Sequence, residues 1–425
     1  MLKFILFVML TFLICGVNAE GLYSVNIKDY GAKGDGISDD TTAFKKAIDA
    51  LSKNEREGKV VNIPAGQYII SDTIELPNFV SLAGEGAKYT YTPVSIIIKE
   101  SNFTPVRLNH IGGVSGINFK YPNNQSLLNP VEYPPTIELV GINPVIEKCQ
   151  FDGAWICIST PKEGANVAGL YKEINGWFHH IGIRIDGSLD IARFVDIHWF
   201  TGGDGVTDFE NVVKKSYMYN NRVGFQFGRQ DGVMMERCFI IWGKTFYEQM
   251  KKTSKGEGNH SLPHLINNCW IEDVNNGFVF QGNFGFALNN TQILVKKGGT
   301  GIKINTNGTY YNATIDNVQV RGFGELVGVD YNVNTTHVRN NLSITNSQIV
   351  DGDPCIKLGD NSERIRIINN HLLAYSQKSA IVIGKEANYI TIKDNVLTGD
   401  HSNLISSEAN SNASIMVSDN HSDTP

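Results

Sequence analysis

Between residues 199 and 273 the sequence sets carboxylates beside aromatic residues at short, recurring spacing. Asp204 and Asp208 follow Trp199 in "WFTGGDGVTDFE", Asp231 and Glu236 precede Phe239 in "GRQDGVMMERCF", and Glu272 and Asp273 follow Trp270 in "WIEDV". Cleaving a glycosidic bond takes one carboxylic acid to protonate the leaving oxygen and one carboxylate to act as nucleophile or to activate water. The two stand about 5–5.5 Å apart in retaining enzymes and farther apart in inverting ones. Neighbouring aromatic rings would stack on the apolar faces of the sugars. The candidate catalytic residues are Glu236 and Glu272, followed by Asp204 and Asp231, and each competes with an architectural reading as a solvated turn or capping group. Trp199, Tyr217, Phe239 and Trp270 are candidates for the binding floor. Arg222 and Arg229, in "NNRVGFQFGRQDG", are candidates for holding an acidic sugar. On a uronate, a basic group would remove the proton next to the carboxylate while a cation neutralises the developing charge. Hydrolysis needs no cofactor; a lyase could use the clustered acids to hold calcium, although no tight ligand-spaced motif is visible.

These residues must be positioned by the elements that carry them, and the chain repeats one pattern: apolar, two free positions, a Cys/Asn/Ser/Thr-like residue, one free position, apolar. It is clearest in "ITNSQI", "IINNHL" and "IKDNVL", and returns upstream in "IEKCQF", "VDIHWF", "VKKSYM", "MERCFI", "INNCWI", "LNNTQI" and "IDNVQV". Short strands at such intervals mean stacked coils that cover one another's apolar faces. Parallel crossovers are right-handed, so the expected fold is all-β, a single-stranded right-handed parallel β-helix of roughly ten to twelve coils. In this frame Cys149, His198, Ser216, Cys238, Cys269, Thr291, Val318, Ser347, Asn370 and Asn395 point inward as a ladder. The following residue points outward and reads Trp199, Tyr217, Phe239, Trp270, then Gln292, Gln319, Gln348, His371 and Val396. A further coil is expected around Val167 to Phe178.

The first nineteen residues, "MLKFILFVMLTFLICGVNA", read as a secretory signal peptide cleaved before Glu20. The expected location is secreted or periplasmic, with no membrane insertion. A net charge of −6 gives no basic face for nucleic acid. Past the leader, Cys149, Cys157, Cys238, Cys269 and Cys355 are spread without metal-type pairs, which argues against a disulfide framework. His260 and His264 would suit a metal on a helix, but Pro263 breaks that helix.

In "YGAKGDGISDDTTAFKKAI" (Tyr30 to Ile48), Phe44, Ala47, Ile48 and Leu51 recur at helical spacing after a glycine- and aspartate-rich turn. An amphipathic helix over Thr41 to Leu51 is expected to cover the open end of the coils, with the aspartates bound to free backbone amides. "DYGAKGDGISDDTTAFKKAIDA", followed by "VVNIPAGQYIISDTIELPNFVSLAGEG", resembles the N-terminal signature of the pectate-lyase-like superfamily, which includes polygalacturonase-related and tailspike-like proteins. The resemblance implies a polysaccharide lying along the outside of the β-helix. It also divides the chain into the leader at 1–19, an N-terminal cap with first coils at 20–88, and the β-helix at 89–425. "VDGDPCIKLGDN" (Val350 to Asn361) is similar to the "GDDC-I" segment of polygalacturonases, but Pro354 replaces the second aspartate. No Gly-His-Gly or Arg-Ile-Lys motif follows, so that mechanism does not carry over.

The function expected is depolymerisation of an extracellular or cell-surface polysaccharide by carboxylate-assisted hydrolysis. A lyase or C5-epimerase on a uronate polymer, and a glycan-binding or adhesion protein without chemistry, stand as alternatives. The oligomeric state stays open between monomer and homotrimer.

Overall fold

The computed structural model describes residues 22–425 except 52, 54–56, 86–92, 166, 202–208, 255, 258–262, 283–284, 307–309, 334–338, 376–377, 400–402 and 423–425. The leader, Asp204, Asp208 and His260 lie outside the described residues.

Apolar residues alternating along short strands bury one side of each strand. Coil after coil, the strands stack in parallel register, as a single-stranded right-handed β-helix does. One sheet, here face A, has 15 strands from Ser24–Asn26 to Ile415–Ser418, more than the ten to twelve coils expected from the repeat. The early coils carry no Cys/Asn/Ser/Thr ladder residue and so escaped that frame. A second, 23-stranded sheet folds round a bend into two further faces, B and C. The long strands Gln150–Ser159, Asn175–Ile185, Phe239–Gln249, Trp270–Gly282 and Gln292–Thr306 run continuously through this bend.

From Lys148 onward, the corner from face A to face B is made by one left-handed residue per coil. Lys148, Glu173, Asp196, Arg237, Asn268, Asn290, Asn317, Asn346, Asn369, Asp394 and Asp419 all have φ between 50° and 57°. Asn and Asp tolerate this region best among residues with a side chain, and they dominate the later coils. The residue after each corner points inward. At the C-terminal end these are Ser347, Asn370, Asn395 and Asn420, whose side chains bind the preceding coil's backbone: Asn370 Oδ1 accepts from Ser347 N (2.9 Å) and Asn395 Oδ1 from Asn370 N (2.9 Å). A buried amide is tolerated there because it is paired.

Strand register corrects the expected ladder. Gln150, Asn175, His198, Phe239, Trp270 and Gln292 face one another across successive coils, so the inward residue before His198 is Ile197. His198 faces outward and Trp199 points into the core, fully buried; a one-residue slip exchanges the two sides of a strand. The indole fits against Gly182, where a Cβ would come within 3.0 Å of its ring. Trp199 lies tilted to Phe151 (6.4 Å) and edge-on to Phe178 (4.9 Å). Ser216 is not a ladder residue either. It caps a short helix, Tyr217–Asn221, by accepting from Tyr219 N (3.1 Å). The coil sought between Cys149 and His198 runs through Leu170–Lys172 and Asn175–Ile185, with Ile174 inward.

Near the N-terminus, helix α1 (Thr41–Asp49) buries Phe44, Ala47 and Ile48, and the Phe44 ring meets Tyr68 edge-on at 6.0 Å. The preceding aspartates are bound to backbone. Asp40 accepts from Lys33 N (2.6 Å) and Gly34 N (3.1 Å), Asp35 from Ser38 N (2.7 Å) and Ile37 N (2.9 Å), and Asp39 from Thr41 N (2.9 Å). Those amides of Ser38 and Ile37 hold the Asp35 carboxyl down to about 2. Gly34 sits at φ 61° against the Tyr68 ring, where a Cβ would come within 2.7 Å.

Candidate active site

Face B presents a shorter aromatic line than expected. His198, Phe239 and Trp270 stand in register, the first two rings 4.3 Å apart, and Trp270 is 46 % exposed. Glu272 lies two residues beyond Trp270 on the same outward side, partly buried. Glu236 ends the preceding face A strand, where its carboxylate meets Arg237 Nη1 (3.3 Å) and Asn268 Nδ2 (2.7 Å) rather than Glu272. Asp231 pairs with Arg229 Nη2 at 2.6 Å in the turn before face A, and the same guanidinium donates to Ser188 O. The structure therefore does not join these acids into one site, and Arg229 is tied to a turn.

Arg222 is a clear correction. It is fully buried at the bend between faces B and C, where Nε donates to Trp242 O (3.0 Å) and Nη1 to Phe200 O (2.7 Å), with Ile241 O also bound. It secures the bend from inside.

Tyr217 leads to a different surface. Its ring packs on Trp155 (4.9 Å), which in turn stacks on His180 (5.0 Å, 23° between planes), and Tyr217 Oη lies 3.1 Å from His180 Nδ1. These rings stand where the strands turn onto face C. From there an outward column continues in register as Glu75, Arg107, Glu138, Ser159, Arg184, Gln226 and Glu248. Trp155, His180, Arg184 and Glu138 form the floor of a cleft of about 670 Å³, walled by Glu132–Pro135 on one side and by Thr160–Lys162 and Met250 on the other. That volume is in the range of small-molecule sites.

The walls are fixed from below. Asn124, fully buried, donates to Val131 O (3.0 Å) and Gly153 O (2.9 Å), while Asn124 O meets His179 Nε2 (2.9 Å). The strand thus turns His179 inward to hold the loop and His180 outward into the cleft. Burial, then the charges of Arg184 and Lys244, push the His180 imidazole down to about 4, so it is neutral near pH 7. Burial and Glu132 raise the Tyr217 phenol. Arg184 is anchored through Nε to Gln226 Oε1 (2.7 Å), and Glu138 accepts from Arg107 Nε (2.7 Å). A neutral base against a phenol, beside a fixed cation, is equipped to move a proton next to an anionic group.

Trp155, His180, Arg184 and Glu138 were not selected from the sequence. The mark left in the chain is the polar pair His180 and Arg184 within the otherwise apolar end of "NGWFHHIGIRI". The five cysteines past the leader are free and buried, and burial pushes the Cys149 thiol up to about 12, so it is no nucleophile. His264 is buried against Tyr247. Among the described residues, no group of three His, Cys, Asp or Glu side chains is arranged to hold a metal, and no helix is long and apolar enough to cross a membrane.

Residues 24–123 match the family described as rhamnogalacturonase A/epimerase, pectate lyase-like. The pre-neck appendage protein of Bacillus phage phi29 is 41% identical over 66 residues, 16% of this chain and 7% of that protein. A mannuronan C5-epimerase of Azotobacter vinelandii is 52% identical over 46 residues, 11% of this chain and 3% of the enzyme. The chain thus spans a small fraction of the length of these relatives. The N-terminal fragment of phage phi29 gene product 12 shares the fold, with a TM-score of 0.55 and 16% identity over 93% of this chain and 70% of the fragment. The family match ends before Trp155, the first residue of the cleft floor to be carried on the bending strands. Residues 24–123 are thus similar to a pectate lyase-like family, and the whole chain shares its right-handed parallel β-helix fold with the phage fragment.

Proposed function

We propose that the protein is an exported enzyme acting on a uronate-containing polysaccharide laid across face C, by removal of the proton at C5 of the sugar. The observation that carries this reading is the contact between Tyr217 Oη and His180 Nδ1 beside Arg184 in a walled cleft. The Arg184 guanidinium neutralises the sugar carboxylate, which makes the C5 proton more acidic. The neutral His180 takes that proton at Nε2, while its Nδ1–H is held by Tyr217 Oη. The Tyr217 hydroxyl, on the same face of the sugar as His180, then protonates the departing glycosidic oxygen, which completes β-elimination; inversion at C5 would take its proton from solvent on the other face. Trp155 stacks under a sugar ring. Arg184 fills the role of charge neutraliser that a calcium ion would take in a metal-assisted version. The likeness of the N-terminal region to a mannuronan C5-epimerase supports this class.

Hydrolysis is the second reading, favoured by Glu132 and Glu138, which both line the cleft. Incubation with a panel of acidic and neutral polysaccharides tests the two. Unsaturated uronides or inverted C5 centres support proton abstraction; new reducing ends with unchanged sugar rings support hydrolysis. Retention of a polysaccharide without product supports a binding protein.

A further inference from the structure

A second cleft lies on the other side of the short helices, away from His180. It holds about 530 Å³ and is lined by helix α2 (Phe209–Lys215) through Val213 and Lys214, by Tyr219 of helix α3 (Tyr217–Asn221), and by Trp242, Asp273, Lys296, Lys297 and Phe323 from successive coils. Its floor is unusual chemistry for a solenoid surface. Lys296 is 8 % exposed and donates from Nζ to Tyr219 O (2.6 Å) and Gly243 O (2.9 Å), with the Tyr219 ring beneath it. A lysine ammonium has three N–H donors, and two are thereby committed to backbone carbonyls. Asp273, at φ 51°, faces it half-buried and accepts from the Trp242 indole, with Tyr219 Oη at 3.5 Å from both carboxylate oxygens. At the rim the Phe323 ring is 65 % exposed, an apolar face of sugar-ring size left in water.

We infer that this cleft is a second saccharide site that binds one acidic sugar residue, its ring on Phe323, its carboxylate on Lys296 and its hydroxyls on Asp273. The charge pattern selects an acid: Lys214, Lys296 and Lys297 line the cleft against Asp273, with Glu325 paired to Lys297 at 3.2 Å. An aromatic face with a few fixed polar groups is the composition of carbohydrate sites. The inference rests on the preceding reading for the acidic sugar alone and uses none of its chemistry.

Binding carries a signature. Burial and the charge of Arg222 hold the Lys296 ammonium down to about 7 against the opposing pull of Asp273. An entering carboxylate favours the charged form, so binding near pH 8 takes up a proton. The experiment is calorimetric titration of the whole protein with glucuronate, galacturonate and mannuronate, with glucose as control, in two buffers of different ionisation heat. Expected are binding of a uronate over glucose with proton uptake, weakening by about tenfold or more in Phe323→Ala, loss of proton uptake in Lys296→Met, and retention of the Phe323-dependent binding and its proton uptake in Arg184→Gln, whatever that change does to binding on face C. Binding weakened only by Arg184→Gln, unchanged proton uptake in Lys296→Met, or no uronate binding above glucose would overturn it. Uronate binding that depends on Phe323 without turnover of any polymer would sink the catalytic reading and leave this site standing.

Discussion

The acid-rich turn before helix α1 and the cleft on face C offer opposite uses of polar side chains. In the turn, Asp35, Asp39 and Asp40 direct their oxygens at backbone amides two to seven residues away. At the cleft, Tyr217 Oη meets His180 Nδ1 and Arg184 Nε meets Gln226 Oε1, and His180 and Arg184 line the open space. Density of acidic residues marks architecture here; the proposed chemistry is placed instead on side chains that line a walled cavity.

The largest expected effect separates the two regions by activity. His180→Ala or Tyr217→Phe should lower kcat/KM by about 10²–10⁴-fold, the usual weight of general acid–base groups, with little change in Tm. Glu236→Gln should leave turnover unchanged, because Glu236 is bound at the opposite corner. The acid limb of the kcat/KM profile should fall near pH 4 rather than near the ordinary histidine value, since His180 must be neutral and its folded value is lowered.

Next comes a pair of tryptophans that sequence reading placed on one line. Trp199→Ala empties a fully buried site and should cost about 3–5 kcal/mol in denaturant unfolding. Trp270→Ala, on the adjacent outward position and 46 % exposed, should change stability by no more than about 0.5 kcal/mol. Equal losses in the two variants would contradict the register described for face B. Asp40→Ala strands the amides of Lys33 and Gly34 and should cost about 1–3 kcal/mol without altering kcat/KM. A loss of turnover larger than the loss of folded protein would return the N-terminal turn to the list of functional sites.

The repeat made the β-helix legible, because a solenoid writes the same inward and outward choices many times. Where the ladder residue is Asn or Cys, the structure agrees with the frame, as at Asn370, Asn395 and Cys269. It slipped at "VDIHWF" because a polar histidine was chosen over Ile197, and at "VKKSYM" because a helix with apolar residues at its ends mimicked the frame. The site was harder. Trp155, His180 and Tyr217 meet only through the bend between faces B and C and the inserted helix, and neither leaves a periodic mark in the chain. Arg222 was legible as a conspicuous cation, but its burial under that bend depends on carbonyls of Phe200 and Trp242 supplied by distant coils.

The most direct test of proton abstraction on face C is proton NMR of uronate polymers incubated with the protein in heavy water. The expected result is loss of the C5 proton signal, through elimination or exchange with solvent, by the native protein and not by His180→Ala. Cleaved polymer with every C5 proton intact would contradict it and return the cleft to Glu132, Glu138 and hydrolysis.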